Sequence, residues 1–163
     1  KVIIGLYPRH MERVPYWRET LLREGLSYVL RSELESVLKP GMVLLGDTFG
    51  ELGPAYQCAR AVFVGGSLAK LGGQNFLEPL AAGVVPVIGP YWKNFAWVGR
   101  GIIDVGLLNV EDDGLAVSET LNTMLMEPQD KAGVKARFKE YIAQNLGGTQ
   151  IVCDEILMCL NNN

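Results

Sequence analysis

The sequence is poor in the side chains that most metal sites use. It contains one histidine and three cysteines, and the positions of Cys58, Cys153 and Cys159 match no metal-ligand spacing. Three thiols cannot all pair with one another, so we expect reduced cysteines in the core of a cytosolic protein, and no metal ion. His10 lies in a predicted loop, where a single histidine is more often structural than catalytic.

Clustered basic residues and long apolar runs are also missing. Lys and Arg number 15 against 18 Asp and Glu, for a net charge of −3. The cations are scattered, whereas nucleic-acid binding usually needs a clustered basic surface, so we expect no nucleic-acid partner. Glycines and prolines interrupt residues 80–92, and no apolar run reaches the roughly 18 residues of a membrane span. Lys1 stands where a natural chain has Met, so we expect a domain of a longer protein.

The chain does contain enough apolar surface for one core. Hydrophobic residues make up 48% of it and charged residues 20%, which suits one globular domain. We expect this domain over residues 1–160, followed by a disordered tail at 161–163. Short apolar runs typical of buried strands alternate with segments of helical pattern. The runs lie at residues 2–6, 26–30, 42–46, 61–64, 84–88 and within 101–108.

This alternation predicts an α/β, Rossmann-like single domain with a parallel sheet of about six strands and helices on both faces. Helices are predicted over residues 12–23, from Asp47 or Thr48 toward 59, over 76–82, and through most of 110–160 with breaks near 127–128 and 146–148. Residues 31–40 are polar and predicted to be peripheral. Ligands bind beyond the carboxyl ends of the strands in such sheets, so we expect four strand-end loops to converge on one site.

The most unusual of these loops follows the strand at residues 61–64. Gly65 and Gly66 accept positive φ and let another molecule approach the backbone, and Ser67 adds a small hydroxyl donor. A second glycine pair at 72–73 precedes Asn75, the predicted N-cap of the next helix. Unpaired N–H groups at such a helix start, beside glycines, predict a phosphate site.

Glu78 lies one turn inside that helix. Its carboxylate suits phosphate poorly, but it can accept hydrogen bonds from two sugar hydroxyls, as acidic residues do for ribose in dinucleotide-binding folds. A plain structural interpretation stays open for each feature, because glycine pairs often serve only as turns and a first-turn glutamate often stabilises the helix dipole.

The remaining strand-end loops offer further candidates. Arg9 carries planar, permanently charged donors that suit phosphate oxygens. The loop at residues 48–52 can supply backbone partners and an apolar wall for a base, although Asp47 and Glu51 can equally be helix-start residues. Asn94 can reach sugar hydroxyls or a carboxylate, or else form a turn.

Five motifs follow one another at the strand-end loops. They are YPRHMER at 7–13, LGDTFGEL at 45–52, FVGGSL at 63–68, GGQNFLEP at 72–79, and GP at 89–90 with NF at 94–95. Their order and spacing resemble the C-terminal half of the 3-deoxy-D-manno-octulosonic acid (Kdo) transferases. The resemblance is strongest over residues 43–95 and weak after 101. One departure is Gln74, where many members carry His.

The resemblance implies the donor half of a B-type glycosyltransferase, in which two Rossmann-like domains face each other across a cleft. The family transfers Kdo from CMP-Kdo to a lipid A precursor in lipopolysaccharide biosynthesis, at the cytoplasmic face of the bacterial inner membrane, without a metal at the transfer site; no cofactor is expected. The acceptor pocket, the membrane contact and the catalytic glutamate belong to the N-terminal half. This chain is therefore expected to hold no catalytic residue and to transfer nothing alone.

Under this interpretation, Arg9 and the glycine loop hold the CMP phosphate, Glu78 holds the ribose, and residues 48–52 hold the cytosine. Asn94 is the expected contact for the Kdo sugar. Two alternatives stay open: a nucleotide-binding module without catalysis, and a UDP-sugar transferase or epimerase of the same fold. The predicted nucleotide-binding residues are Arg9, Thr48, Gly50, Glu51, Leu52, Gly65, Gly66, Ser67, Gln74, Asn75 and Glu78.

Overall fold

The computed structural model describes residues 1–145 and 148–161. The chain divides into two compact units, of which the first spans Lys1–Cys58 and the second begins at Ala59.

The first unit is built on a three-stranded parallel sheet. Strand β3 is central and pairs with β1 on one side and β2 on the other. The strands are β1 (Ile4–Leu6), β2 (Tyr28–Leu30) and β3 (Val43–Leu45). The helices are α1 (Val14–Arg23) and α2 (Leu52–Cys58), with 3-10 turns at Met11–Arg13 and Arg31–Glu33.

Helix α1 covers this sheet with one apolar stripe. Val14, Trp17 and Leu21 recur at the three- and four-residue spacing of a helix face, and all three belong to the core of the unit. Leu21 packs there with Leu30 and Leu45 from the strands. Burying a leucine side chain contributes about 1.5–3 kcal/mol, so this contact fixes the strands whose ends carry the candidate loops.

Tyr7 follows β1 and lies across glycines of two neighbouring strands. A Cβ atom at Gly46 would collide with the Tyr7 ring, and one at Gly5 would lie 2.9 Å from its Cε2. A side chain at either position would therefore require the Tyr7 ring to move. Burial of the ring, reinforced by the negative charge of Glu51, raises the pKa of Tyr7 above its ordinary value.

The second unit contains a two-stranded parallel sheet and most of the helices. Strand β4 (Val87–Ile88) pairs with β5 (Asn109–Val110). On the other side of β4, Phe63 forms a parallel bridge to Val87, and the Val64 N–H donates to the Val87 carbonyl at 2.9 Å. The helices are α3 (Leu77–Ala81), α4 (Gly101–Asp104), α5 (Gly114–Met126), α6 (Lys131–Asn145) and α7 (Gly148–Asn161), with a 3-10 helix at Lys93–Val98.

The core of the second unit forms around β4. Helix α5 packs on β4, and α3 packs on α6. The side chains with 2% exposure or less include Phe76, Leu80, Val84, Ile88, Ile102, Leu107 and Leu108. Because Phe76 directly precedes α3, the core anchors the segment that carries Asn75 and Glu78.

The α/β class predicted from the sequence is confirmed, but the single six-stranded sheet is not. Among the described residues there are five strands in two small parallel sheets, and the run at 61–64 is reduced to one bridge. The strand predicted within residues 101–108 is wrong, since Gly101–Asp104 forms α4. Gly106, at φ +68°, ends that helix by donating to the Ile103 carbonyl, and β5 begins only at Asn109.

The helical pattern predicted after residue 110 is confirmed in α5, α6 and α7, with the break at 127–128 between α5 and α6. Of the second break, residues 146–147 lie outside the described residues, as do 162–163 of the predicted tail; Asn161 is the last residue of α7. The prediction of core cysteines is wrong, because Cys58, Cys153 and Cys159 are all exposed. Two of them lie on α7, whose apolar side chains from Ile156 to Leu160 are also largely exposed.

Candidate functional site

Two loops of the second unit are bound together through their main chains. The Gly73 N–H donates to the Gly66 carbonyl at 2.9 Å, which closes the segment 65–75 on itself. The Tyr91 N–H donates to the Ser67 carbonyl at 2.9 Å, and the Asn94 N–H donates to the Gly72 carbonyl at 3.0 Å. The predicted loops at 65–78 and 89–95 therefore do meet.

The glycine pairs are required by this arrangement. Gly66, Gly72 and Gly73 have φ of +73°, +90° and +77°, a region that costs other residues free energy. A Cβ atom at Gly72 would lie 2.5 Å from the Asn94 amide, and one at Gly73 would lie 3.1 Å from the Trp92 Cα. By contrast, a Cβ atom at Gly65 would meet no atom within 4 Å. The main chain at Gly65 is thus the open part of the loop.

Ser67 has a different role from the predicted phosphate donor. Its side chain is 1% exposed, and its hydroxyl donates to the Val64 carbonyl at 2.8 Å while it accepts from the Gly89 N–H at 2.8 Å. A hydroxyl has only one proton to donate, and here Val64 takes it. Ser67 therefore ties the end of the strand-like segment to the loop after β4 and has no donor left for a ligand.

Asn75 and Glu78 form a connected pair at the start of α3. The Asn75 Oδ1 accepts from the Leu77 N–H at 3.1 Å, as a capping residue does, although the helix begins one residue later than the prediction placed it. The Asn75 Nδ2 donates to the Glu78 Oε1 at 2.8 Å. Glu78 is exposed, so this bond orients a solvent-accessible carboxylate and leaves its other oxygen without a described partner. Helix α3 has only five residues, so the expected helix-dipole contribution to anion binding is small.

Gln74 and Asn94 flank the glycine loop. The Gln74 side chain lies over Gly66, with its Cγ 3.4 Å from the position a Cβ would take there. The Asn94 Nδ2 makes a long hydrogen bond of 3.4 Å to the Gly73 carbonyl. Asn94 thus connects the segment after β4 to the glycine loop, and its Oδ1 still has acceptor capacity for a sugar hydroxyl.

In the first unit, Arg9 lies in the loop after β1. It is exposed, and among the described residues it makes no ion pair or hydrogen bond. The neighbouring His10 Nδ1 lies 3.4 Å from a Glu12 carboxylate oxygen, and both side chains are largely exposed. The predicted cation is therefore available to a ligand, and the histidine is occupied locally.

Asp47 does not cap a helix, because α2 begins only at Leu52. Its carboxylate instead accepts from both the main-chain N–H and the hydroxyl of Ser32. Burial by itself would raise the pKa of Asp47, but the hydrogen bonds from Ser32 and from the main chain of Asp47 and Arg31 together outweigh it, and the pKa lies below its ordinary value. Asp47 is thus a charged tie between the loops that follow β2 and β3.

Glu51 directly precedes α2, and its carbonyl accepts from the Ala55 N–H at 3.0 Å. Glu51 thus stands at the start of a helix, which is one of its two predicted roles. Its carboxylate also lies 3.3 Å from the Arg31 Nε. In the same loop, the Thr48 Oγ1 is buried and has no hydrogen-bond partner among the described residues. Gly50 and Leu52 are exposed.

Arg31 and Ser32 are the residues that the sequence interpretation missed. The segment 31–40 was predicted to be peripheral, yet its first two residues hold Glu51 and Asp47. Their place in the sequence could have revealed them, because both follow β2 directly. Parallel neighbouring strands bring their carboxyl ends to the same edge of a sheet, so these residues lie beside the loop that follows β3.

Comparison with known proteins identifies the group to which these loops belong. No protein-family model matches the sequence. The 3-deoxy-D-manno-octulosonic acid transferase of Bordetella pertussis is 34% identical over 94% of this chain, and that of Haemophilus influenzae is 31% identical over 99%. This chain is a homologue of the C-terminal part of the Kdo transferases. It spans 36% and 38% of the lengths of these two relatives.

A solved structure agrees with this relationship. The C-terminal CMP-Kdo binding domain of WaaA from Acinetobacter baumannii matches with a TM-score of 0.76 and 25% sequence identity, over 87% of this chain and 89% of that domain. The Kdo transferase relationship therefore extends over both units. In the part of the chain that the structure describes, no group of His, Cys, Asp and Glu could hold a metal ion, and no helix is both long and apolar enough to cross a membrane.

Proposed function

We propose that this chain is the donor-binding half of a Kdo transferase and that it binds CMP-Kdo. The observation that supports this most is the similarity to Kdo transferases over nearly the whole chain, together with the likeness to a CMP-Kdo binding domain. The acceptor of the proposed reaction is a lipid A precursor. Its pocket and the catalytic glutamate would lie in an N-terminal half, so the chain alone would bind donor without transferring its sugar.

In the second unit, we assign the phosphate to the open main chain at Gly65 and Gly66 and to the Gln74 amide beside them. Glu78, oriented by Asn75, accepts hydrogen bonds from the ribose hydroxyls through its other oxygen. Asn94 accepts from a Kdo hydroxyl. Ser67 acts as a positioning residue, because it fixes two of the loops without contacting the ligand.

In the first unit, Arg9 is the proposed cation for the CMP phosphate, since its guanidinium has no described partner to compete for its donors. The loop at 48–52 is the proposed contact for cytosine. The exposed Gly50 and Leu52 of this loop support the assignment, and Thr48 belongs to the same loop. Glu51 keeps Arg31 in place, and Gly50 and Leu52 supply main-chain and apolar contacts.

Residues 1–160 would thus act as one donor-binding domain. In the complete protein we place this domain on the cytoplasmic side of the bacterial inner membrane, with the membrane contact made by the N-terminal half.

The sharpest test of the nucleotide assignment is Glu78→Gln, titrated by calorimetry with CMP and with 2′-deoxy-CMP. The substitution keeps the side-chain volume but removes a charged acceptor. The binding free energy of CMP should therefore become less favourable by about 1–3 kcal/mol. The loss should be much smaller for 2′-deoxy-CMP, because the two changes remove parts of one interaction and cannot add. Glu119→Gln, on the exposed surface of α5, is the matched control and should alter neither affinity.

Equal losses of affinity for the two nucleotides would contradict the proposal that Glu78 binds the ribose.

Titration of the unmodified chain with CMP, UMP and AMP tests the class of donor nucleotide. CMP should bind best, and equal affinities would contradict a cytidine nucleotide as the donor.

A further inference from the structure

A groove of about 470 Å³ lies within the second unit, next to the glycine loop. Its volume falls within the range of sites for small molecules. The lining residues are Lys70, Pro90, Tyr91, Trp92, Lys93, Ala96 and Arg100. Apart from the loop that carries Lys70, all of them belong to the segment from the end of β4 to the start of α4.

The charge of this groove is entirely positive. Lys70, Lys93 and Arg100 line it, and no carboxylate does. Within the described part of the chain, none of the three cations forms an ion pair or a hydrogen bond. Like charges that share one concave surface raise each other's free energy and attract an anion to it. In a protein whose net charge is −3, such a concentration of unpaired cations indicates a negatively charged ligand.

The aromatic side of the groove is held rigidly. The Trp92 ring meets the Phe76 ring edge to face, with centroids 5.8 Å apart and an interplanar angle of 77°, and Phe76 is fully buried. At the far end of the segment, the Tyr141 hydroxyl donates to the Val98 carbonyl at 2.8 Å. Trp92 thus combines packing against the core with a place in the groove lining, where its large amphipathic ring offers apolar surface beside the cations.

The groove also adjoins the proposed donor loop. The Trp92 Cα is the atom nearest to the Cβ position of Gly73, at 3.1 Å, and Lys70 lies in the loop between the two glycine pairs. The segment that lines the groove therefore packs against the glycine loop assigned to phosphate.

We propose that this groove binds an anionic sugar, with Lys70, Lys93 and Arg100 holding its carboxylate or phosphate and Trp92 packing against its ring. The anion preference rests on the three cations alone, whereas the choice of a sugar rests on the proposed function. Two ligands carry such an anionic sugar: the donor, through its acid sugar, and an acceptor, through a phosphorylated sugar.

The test uses the whole chain labelled with ¹⁵N and measures dissociation constants from chemical-shift titrations. The probes are free 3-deoxy-D-manno-octulosonic acid, glucose 1-phosphate and, as the neutral sugar, mannose. The double variant Lys93→Gln/Arg100→Gln should raise the dissociation constant of the anionic sugar about tenfold or more, because each substitution removes a charge-assisted contact. Lys93→Arg keeps the charge and should stay within about threefold. Lys39→Gln, an exposed lysine of the first unit, is the matched control and should change nothing.

Tighter binding of the acid sugar than of glucose 1-phosphate assigns the groove to the donor, and the reverse order assigns it to a phosphorylated acceptor. Binding of mannose as tight as that of either anion, or losses that are equal in the double variant and in Lys39→Gln, would overturn the proposal. A CMP titration of the same proteins separates the two hypotheses. CMP binding without anionic-sugar binding would contradict only the groove, whereas anionic-sugar binding without CMP binding would contradict only the proposed donor function.

Discussion

The loops of the first unit and those of the second are held in place by different kinds of bond. In the first unit, charged side chains connect the loops: Asp47 accepts from Ser32, and Glu51 pairs with Arg31. In the second unit, main-chain hydrogen bonds connect the loops, and glycines such as Gly72 let the segments approach closely. The first set of loops should therefore respond to pH and salt, and the second to added side-chain volume.

The largest effect is expected where volume is added to the second unit. In Gly89→Ala, the new Cβ would collide with the main-chain carbonyl of Ser67. The collision should also strain the bond from the Gly89 N–H to the Ser67 hydroxyl. We expect the free energy of unfolding to fall by roughly 2–4 kcal/mol, measured by urea denaturation. Gly65→Ala is the control, since its Cβ meets no atom, and it should stay within about 0.5 kcal/mol. Equal losses at both positions would contradict the role of close approach.

The next effect concerns ligand charge in the first unit. Arg9→Ala should weaken CMP by about 1.5–3 kcal/mol, roughly 10- to 150-fold, while leaving cytidine almost unchanged, because only CMP carries the phosphate. Calorimetric titration of both ligands measures the difference. Arg23→Ala, at the end of α1, is the control for lost surface charge. A similar loss for CMP and cytidine would mean that Arg9 acts through the fold.

A smaller effect is expected from the ion pair. Arg31→Met removes the partner of Glu51, and because both side chains are partly exposed the free energy of unfolding should fall by no more than about 1 kcal/mol. The difference from the unmodified chain should shrink in about 1 M salt, which screens exposed charges. Arg31 also lowers the pKa of Tyr7, so the variant should titrate that phenol at higher pH. A salt-independent loss would point to packing by the Arg31 stem.

The smallest effect is a change in pH dependence at Asp47. Its pKa is lowered in the folded chain, so its contribution to stability is present above the unfolded pKa, about 3.8, and is lost as pH falls through the folded value. Ser32→Ala removes one of the hydrogen bonds that lower this pKa. The carboxyl resonance of Asp47 should then titrate at higher pH, and stability should depend less on pH below about pH 4. An unchanged titration would show that the main-chain hydrogen bonds suffice.

The sequence predicted the helices and strands best where the pattern was long or strongly apolar. The stripe of α1 and the runs that became β1 to β3 follow from spacing alone. The prediction failed at residues 101–104, where a short apolar run beside glycines fits a helix turn and a strand equally well. Only the positive φ of Gly106 and the burial of Ile102 on the helix decided the outcome.

For the candidate site, the sequence predicted the positions of the loops better than the contacts that each side chain makes. Ser67 was expected to face a ligand, but a small hydroxyl can bond inward or outward, and its direction depends on how close Gly89 lies. Arg31 was missed because its partner, Glu51, is 20 residues away in sequence. Such a contact follows from strand order, which the apolar pattern does not specify.

Tyr7 has a consequence for how this sequence can change. Its ring occupies the space that side chains at Gly5 and Gly46 would fill, so the three positions share one volume. A side chain at Gly46 therefore fits only together with a smaller residue at position 7. We expect homologous sequences to vary at these positions as a set, and a library that randomises them jointly should yield folded variants with a side chain at Gly46 that the single substitution at Gly46 does not.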